Sequence, residues 1–218
     1  MCSEPSITVY KADSFGRILL VQEAGGRFIR RDLSVTPWWL RLPAWWLARR
    51  EARALAALGD MPATPRLLRW DGVQLERSFM DGAAMFKRPP HQDLAYFRQA
   101  RRLLQQLHRR GIVHNDLAKE ANWLVQADGS PGIIDFQLAM LGQPRARWMR
   151  LLAREDLRHL LKHKRTYCPQ AITPVERRVL KRRSWLRELW FATGKPVYRF
   201  VTRKLLHWED NEGRGPRQ

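Results

Sequence analysis

Between His114 and Phe136 the sequence sets three oxygen-bearing side chains, Asp116, Asn122 and Asp135, around a predicted hairpin, and few folds accommodate that order. Upstream, Phe97 to His108 has Leu103, Leu104 and Leu107 among Arg and Gln, the spacing of an amphipathic helix, and Gly111 stops it. Downstream, Trp123-Leu124-Val125 and Gly132-Ile133-Ile134 are short apolar runs separated by Ala127-Asp128-Gly129-Ser130, whose Asp-Gly pair favours a tight turn. Asn122 therefore enters the first strand and Asp135 leaves the second, so the turn brings two oxygen ligands together. Such a pair suits a hard cation such as Mg²⁺. A carboxylate in the preceding loop, Asp116, stands where a base could orient a hydroxyl. Together these are the parts that phosphoryl transfer needs, because that reaction is catalysed mainly by positioning and charge neutralisation.

The helix, Leu107-His108, Gly111-Ile112-Val113-His114, Asp116, Asn122 and Asp135-Phe136 resemble, in that order, the catalytic core of the protein-kinase-like superfamily. Within it the chain is similar to the small bacterial lipopolysaccharide-core (Kdo/heptose) kinases and to RIO-type kinases. The resemblance implies an α+β fold of two lobes, with a small antiparallel N-lobe sheet and a mainly helical C-lobe. It also implies ATP and Mg²⁺ as cofactors, Asp116 and Lys119 as catalytic residues, and Asn122 and Asp135 as metal ligands. The family pairs a Lys of the third strand with a Glu of the next helix. Arg31, in preference to Arg30, and Glu51 occupy the comparable places, as ATP-binding residues with Arg for Lys.

Three departures from the family pattern carry expectations. Five residues, Leu117 to Ala121, separate Asp116 from Asn122, where the family has four. Asn115 replaces the Arg that pairs with a phosphorylated activation segment, so control by such phosphorylation is not expected. Gln137 replaces the Gly after Asp-Phe, which disfavours a flipped inactive state. His114 reads as a loop-shaping residue, and Asp156 reads equally as a loop brace or as a helix-dipole carboxylate, so it is left outside the site.

Around this centre, Ile7 to Tyr10, Ile18 to Gln22 and Arg27 to Arg31 predict short strands, with only Gly16 in the segment where a glycine-rich phosphate cover would lie. Val73 to Met80 reads as a strand leading to the Asp81-Gly82 turn, the place of a hinge. The lobes are drawn at 1–80 and 81–208, with two basic helices at Leu151 to His163 and Pro174 to Trp190, and a disordered tail at 209–218.

Charge bounds the partners. Forty Lys and Arg against 21 Asp and Glu give a net charge of +19 over 218 residues, a field that attracts phosphate-rich partners. Two cysteines, Cys2 and Cys168, make neither a disulfide framework nor a zinc spacing, and with no secretory leader visible at Met1 they point to the cytoplasm. Pro37 to Arg50 packs four Trp among cations; Arg41 and the prolines exclude a spanning helix, leaving packing on the N-lobe or peripheral contact with the inner membrane. The short stretch Leu138 to Pro144 leaves little room for a peptide platform. That favours an anionic glycolipid, a lipopolysaccharide-core sugar, as acceptor, with a protein serine or threonine (RIO-like) as the alternative. A non-catalytic pseudokinase-type binding module is the reading from another class, and no motif points to specific nucleic-acid binding.

Overall fold

The computed structural model describes residues 6–23 and 25–181. Three runs near the N-terminus, β1 (Ser6–Asp13), β2 (Gly16–Glu23) and β3 (Gly26–Asp32), form an antiparallel meander. The β1–β2 turn is the two residues Ser14-Phe15, and Gly16 follows with φ +119°. A Cβ at Gly16 would overlap the Asp32 carbonyl oxygen, so this glycine serves close strand approach. After a 3₁₀ turn at Trp38–Leu40 the chain runs through α1 (Arg41–Leu58) and returns as β4 (Leu67–Trp70) and β5 (Gln74–Ser78). The sheet order is β1-β2-β3-β5-β4. Strand β4 was not legible in the sequence: it lies at the sheet edge, and Leu67, Leu68 and Trp70 give no two-residue alternation.

The second half contains β6 (Ala83–Ala84), α2 (Leu94–Arg109), β7 (Ile112–Val113), β8 (Trp123–Val125), β9 (Pro131–Ile133), β10 (Met140–Leu141), α3 (Arg147–Tyr167) and α4 (Pro174–Lys181). Asp93 starts α2 by accepting the Tyr96 N–H at 2.8 Å, a side-chain N-cap. Phe97, Ala100, Leu103, Leu104 and Leu107 form its buried stripe. Gly111 ends it in the left-handed region (φ +73°) and lies so close to Gly142 that a Cβ would overlap the Gly142 carbonyl oxygen. The β8–β9 hairpin closes by Gln126 N–H to Ser130 O (2.9 Å) and Gly129 N–H to Gln126 O (3.0 Å), with Gly129 at φ +82°.

This is the two-lobed α+β architecture expected from the sequence. The main core, however, crosses the boundary drawn at residue 80: Ala54, Leu55 and Leu58 of α1 pack in the same cluster as α2, Trp123, Phe136 and Leu160. A smaller cluster of Leu33, Ala44 and Ala48, with Phe15, Trp45 and Trp70 against it, holds the outer end of α1 to the sheet. Helix α3 begins at Arg147, four positions ahead of the sequence expectation of Leu151. The part of the last helix expected beyond Lys181, the end of the lobe at 208 and the tail at 209–218 lie outside the described residues.

Helix α3 also carries a pH-sensitive element. Burial, reinforced by Lys162 and opposed by Asp156 and Glu155, lowers the His159 pKa from 6.5 to about 4. The folded state therefore binds fewer protons than the unfolded chain between these values, and stability falls as pH drops from 6.5 towards 4. Urea titrations across that window should show a loss of up to ~3 kcal/mol that His159→Gln flattens; an unchanged slope in the variant would exclude His159 as its source.

Candidate active site

The catalytic loop is held from below by one carboxylate. Asp156, 1 % exposed, accepts the His114 N–H on Oδ2 (2.8 Å) and the Asn115 N–H on Oδ1 (3.0 Å), while the His108 ring nitrogen Nε2 lies 3.2 Å from Oδ2. Asp156 is the tenth residue of α3, too far from the N-terminus for a helix-dipole explanation. The sequence reading left it out because it started the helix four residues late. His114 is buried and shapes the loop from within. Its Nδ1 accepts the Asp116 N–H (3.3 Å), which places the ring proton on Nε2, donated to the Ile134 carbonyl (3.0 Å). Its ring packs on Phe136 with centroids 4.7 Å apart.

The loop runs into Asn122 through a 3₁₀ turn at Glu120–Asn122. The turn is anchored on both sides: Tyr167 donates to Glu120 Oε2 (2.8 Å), and the Leu117 carbonyl accepts from His163 Nε2 (2.9 Å) and Trp123 Nε1 (3.3 Å). Asn122 thus reaches the Asp116 carboxylate despite the longer loop. Its Nδ2 donates to the Asp116 backbone carbonyl (2.8 Å) and to Asp116 Oδ2 (3.0 Å). Lys119 Nζ meets the same Oδ2 at 2.8 Å. Asp116, Lys119 and Asn122 therefore form one contact group.

Above them lies a cleft of about 610 Å³ between the lobes, lined at its apolar end by Ile18, Ile29, Phe79, Met80 and Leu124 and at its polar end by Arg31, Arg77, Lys119, Asn122 and Asp135. The Phe15 of the β1–β2 turn and Tyr10 also line it, in the place where a glycine-rich cover would lie. Glu51 of α1 is fully buried behind the polar end. Arg31 Nε stands 3.7 Å from Glu51 Oε2, and Arg77 Nη1 stands closer, 3.0 Å from Oε1. Neither approach has hydrogen-bond geometry, so the cluster is held by charge. Arg30 points elsewhere, to Glu76 at 2.8 Å. Arg77 is a site residue that the sequence reading missed. Alternation along β5 places it on the same side as the fully buried Leu75, and a cation at a core-facing position was the signal.

Asp135 completes the cluster in a left-handed backbone conformation, φ +67°. Burial pushes its carboxyl pKa up, but the cations around it, Arg77 and Arg31 foremost and then Lys119, outweigh burial and hold it below the ordinary carboxylate range. It is charged at neutral pH. Its Oδ1 is buried and has no hydrogen-bond partner, an orphaned anionic oxygen that calls for a cation. Asn122 commits both Nδ2 protons to Asp116, leaving its Oδ1 free to ligate a cation, and the Ile134 N–H to Asn122 O bond (3.0 Å) holds Asp135, the next residue, beside it. Among the described residues no group of three or more His, Cys, Asp or Glu could hold a metal ion. Two protein oxygens fit Mg²⁺, which keeps its waters and takes further oxygens from phosphates, and would not fit a metal needing a full protein cage.

The segment after Gln137 is fastened by side chains of two other elements. Asn115, at φ +63°, a conformation Asn tolerates better than most residues, donates from Nδ2 to the Leu138 carbonyl (3.0 Å). Arg50 Nη2 donates to the carbonyls of Leu138 (2.9 Å) and Ala139 (3.0 Å). Gln137, whose φ is not positive, needs no glycine.

The cleft between the lobes thus carries two cations, Arg31 and Arg77, beside Asn122 and the charged Asp135, with Asp116 bonded to Asn122 next to it. Residues 44–164, more than half of the chain, match the phosphotransferase enzyme family (APH), and the chain belongs to that family. Among solved structures, the Rio2 kinase from Chaetomium thermophilum is similar in fold, with a TM-score of 0.56 at 16 % identity, covering 76 % of this chain. The chain spans 58 % of the length of that kinase. No curated protein matches the sequence.

Removing the brace should be costly. Asp156→Ala strands one buried and one part-buried N–H group and should cost ~3 kcal/mol in urea unfolding, whereas Asp156→Asn, which keeps one acceptor oxygen, should cost less; equal stability of Asp156→Ala and wild type would show that the loop holds itself.

Proposed function

We propose that this protein is an ATP-dependent kinase that transfers the γ-phosphoryl group to a hydroxyl of a lipopolysaccharide-core sugar, working at the cytoplasmic face of the inner membrane. The adenine would occupy the apolar end of the cleft and the phosphates its cationic end. Bound between Asn122 Oδ1 and Asp135, Mg²⁺ would neutralise charge on the β- and γ-phosphates. Lys119 and Asn122 both converge on Asp116 Oδ2, which leaves Oδ1 to accept the proton of the attacking hydroxyl. The hydroxyl oxygen then bonds to the γ-phosphorus, the bond to the β-phosphate oxygen breaks, and ADP leaves. Arg31 and Arg77 hold the nucleotide end of that line.

The acceptor reading rests on one observation. The segment after Gln137 is pinned by Asn115 and Arg50 and passes within a few residues into β10 and α3, so it offers no extended edge along which a peptide could lie. A sugar hydroxyl needs no such edge.

Incubating the purified protein with γ-labelled ATP and Mg²⁺ against separate pools of envelope glycolipid and soluble protein checks this. Label should enter the glycolipid pool and disappear in Asp116→Asn. Label confined to the protein pool would replace the sugar with a serine or threonine acceptor, and label in neither pool would favour a binding module.

A further inference from the structure

The outer face of α1 carries apolar side chains where a solvated helix carries polar ones. Trp38, Leu42 and Trp46 follow at intervals of four and are 82 %, 74 % and 50 % exposed; Trp39 and Val35 stand beside them, also exposed. The opposite face, Ala44, Ala48, Glu51, Ala52 and Leu55, is already spent on the protein interior. A tryptophan presents on the order of 200 Å² of surface, so these side chains amount to a contiguous patch of a size that marks an interaction site.

Its chemistry selects the partner. Arg41, Arg49 and Arg53 are exposed one row round the helix, the first two eight apart with Trp45 between them and the last two four apart. The Arg50 guanidinium lies 4.4 Å from the Trp46 ring centre and that of Arg49 5.2 Å from the Trp45 ring centre. From Leu33 to Leu58 the sole acidic residue is Glu51, which is buried. Indole rings rank among the side chains that settle at a membrane–water boundary, and arginines beside them meet lipid phosphates. No helix among the described residues is long and apolar enough to cross a membrane.

We propose that this face, Trp38, Trp39, Leu42 and Trp46 flanked by Arg41, Arg49 and Arg53, seats the protein on an anionic lipid bilayer. The docking stands on the surface itself; its link to catalysis deepens, and rests on, the acceptor reading above. The link is short. Arg50 ties α1 to Leu138 and Ala139, Leu138 is itself exposed, and the same Leu138 carbonyl is held by Asn115, the neighbour of Asp116. An acceptor anchored in that bilayer would be presented beside the catalytic carboxylate.

Co-sedimentation of the full chain with vesicles of phosphatidylcholine, with and without phosphatidylglycerol, tests the docking. Binding should require phosphatidylglycerol, and W38S/L42S/W46S should weaken it about tenfold or more. R41S/R49S/R53S should remove the preference for phosphatidylglycerol and its salt dependence. Mg-ATP binding should stay at the wild-type level in both variants, so that loss of docking is read apart from any failure of the kinase reading. Unchanged vesicle binding in both variants would overturn the proposal. So would a wild-type dimer in sedimentation equilibrium that W38S/L42S/W46S turns monomeric, since the face would then belong to a second copy of the chain.

Discussion

A fully buried carboxylate with two guanidiniums for company, Glu51 between Arg31 and Arg77, fixes the geometry on which the rest of this site depends. A buried charge is tolerated only when compensated. Compensation here draws together α1, β3 and β5, and the same two arginines hold Asp135 of the other lobe ionised. One electrostatic cluster thereby positions the helix, lines the polar end of the cleft and keeps the Asp135 carboxylate charged. Because Arg77 shares the task, Arg31 need not reproduce by itself what the family's lysine does. Two planar cations in place of one point charge spread positive potential along the polar end of the cleft.

The C-lobe answers with a second fixed point. Asp156 takes up the N–H groups of His114 and Asn115, so that Asp116 is presented from a loop with little freedom. Asn115 and Arg50 then fasten the segment after Gln137 by three bonds to two carbonyls. These are hydrogen bonds between protein groups alone. Two residues of the site, Asn115 and Asp135, sit at positive φ, and such conformations persist where surrounding bonds over-determine them.

The fold class and the helix–loop–hairpin were legible because each rests on local rules: the stripe on α2, the glycine that ends it, and the Asp-Gly turn. Asp116, Asn122 and Asp135 stood out by order and spacing, and the structure gathers them, with a 3₁₀ turn leading into Asn122. What escaped depends on tertiary contact. Arg77 looked like one more cation in an arginine-rich chain, and its role appears only when β5 packs beside β3 opposite Glu51. Asp156 was legible as a possibility, and a four-residue error in a helix start decided against it. The tryptophans of 38–46 divided in a way that composition could not foretell: Trp45 packs against the sheet, whereas Trp38, Trp39 and Trp46 remain exposed.

The central claim is that Asp116 acts on the acceptor hydroxyl while the cluster above it holds the nucleotide. Rapid-quench single-turnover measurement of γ-phosphate loss from bound Mg-ATP, in wild type and Asp116→Asn with nucleotide affinity measured alongside, tests it directly. The account predicts Mg-ATP affinity within about twofold of wild type and transfer slowed by roughly 10²–10⁴-fold, the range for loss of a general base. Equal transfer rates in the two proteins, or a wild type that binds no Mg-ATP, would contradict it.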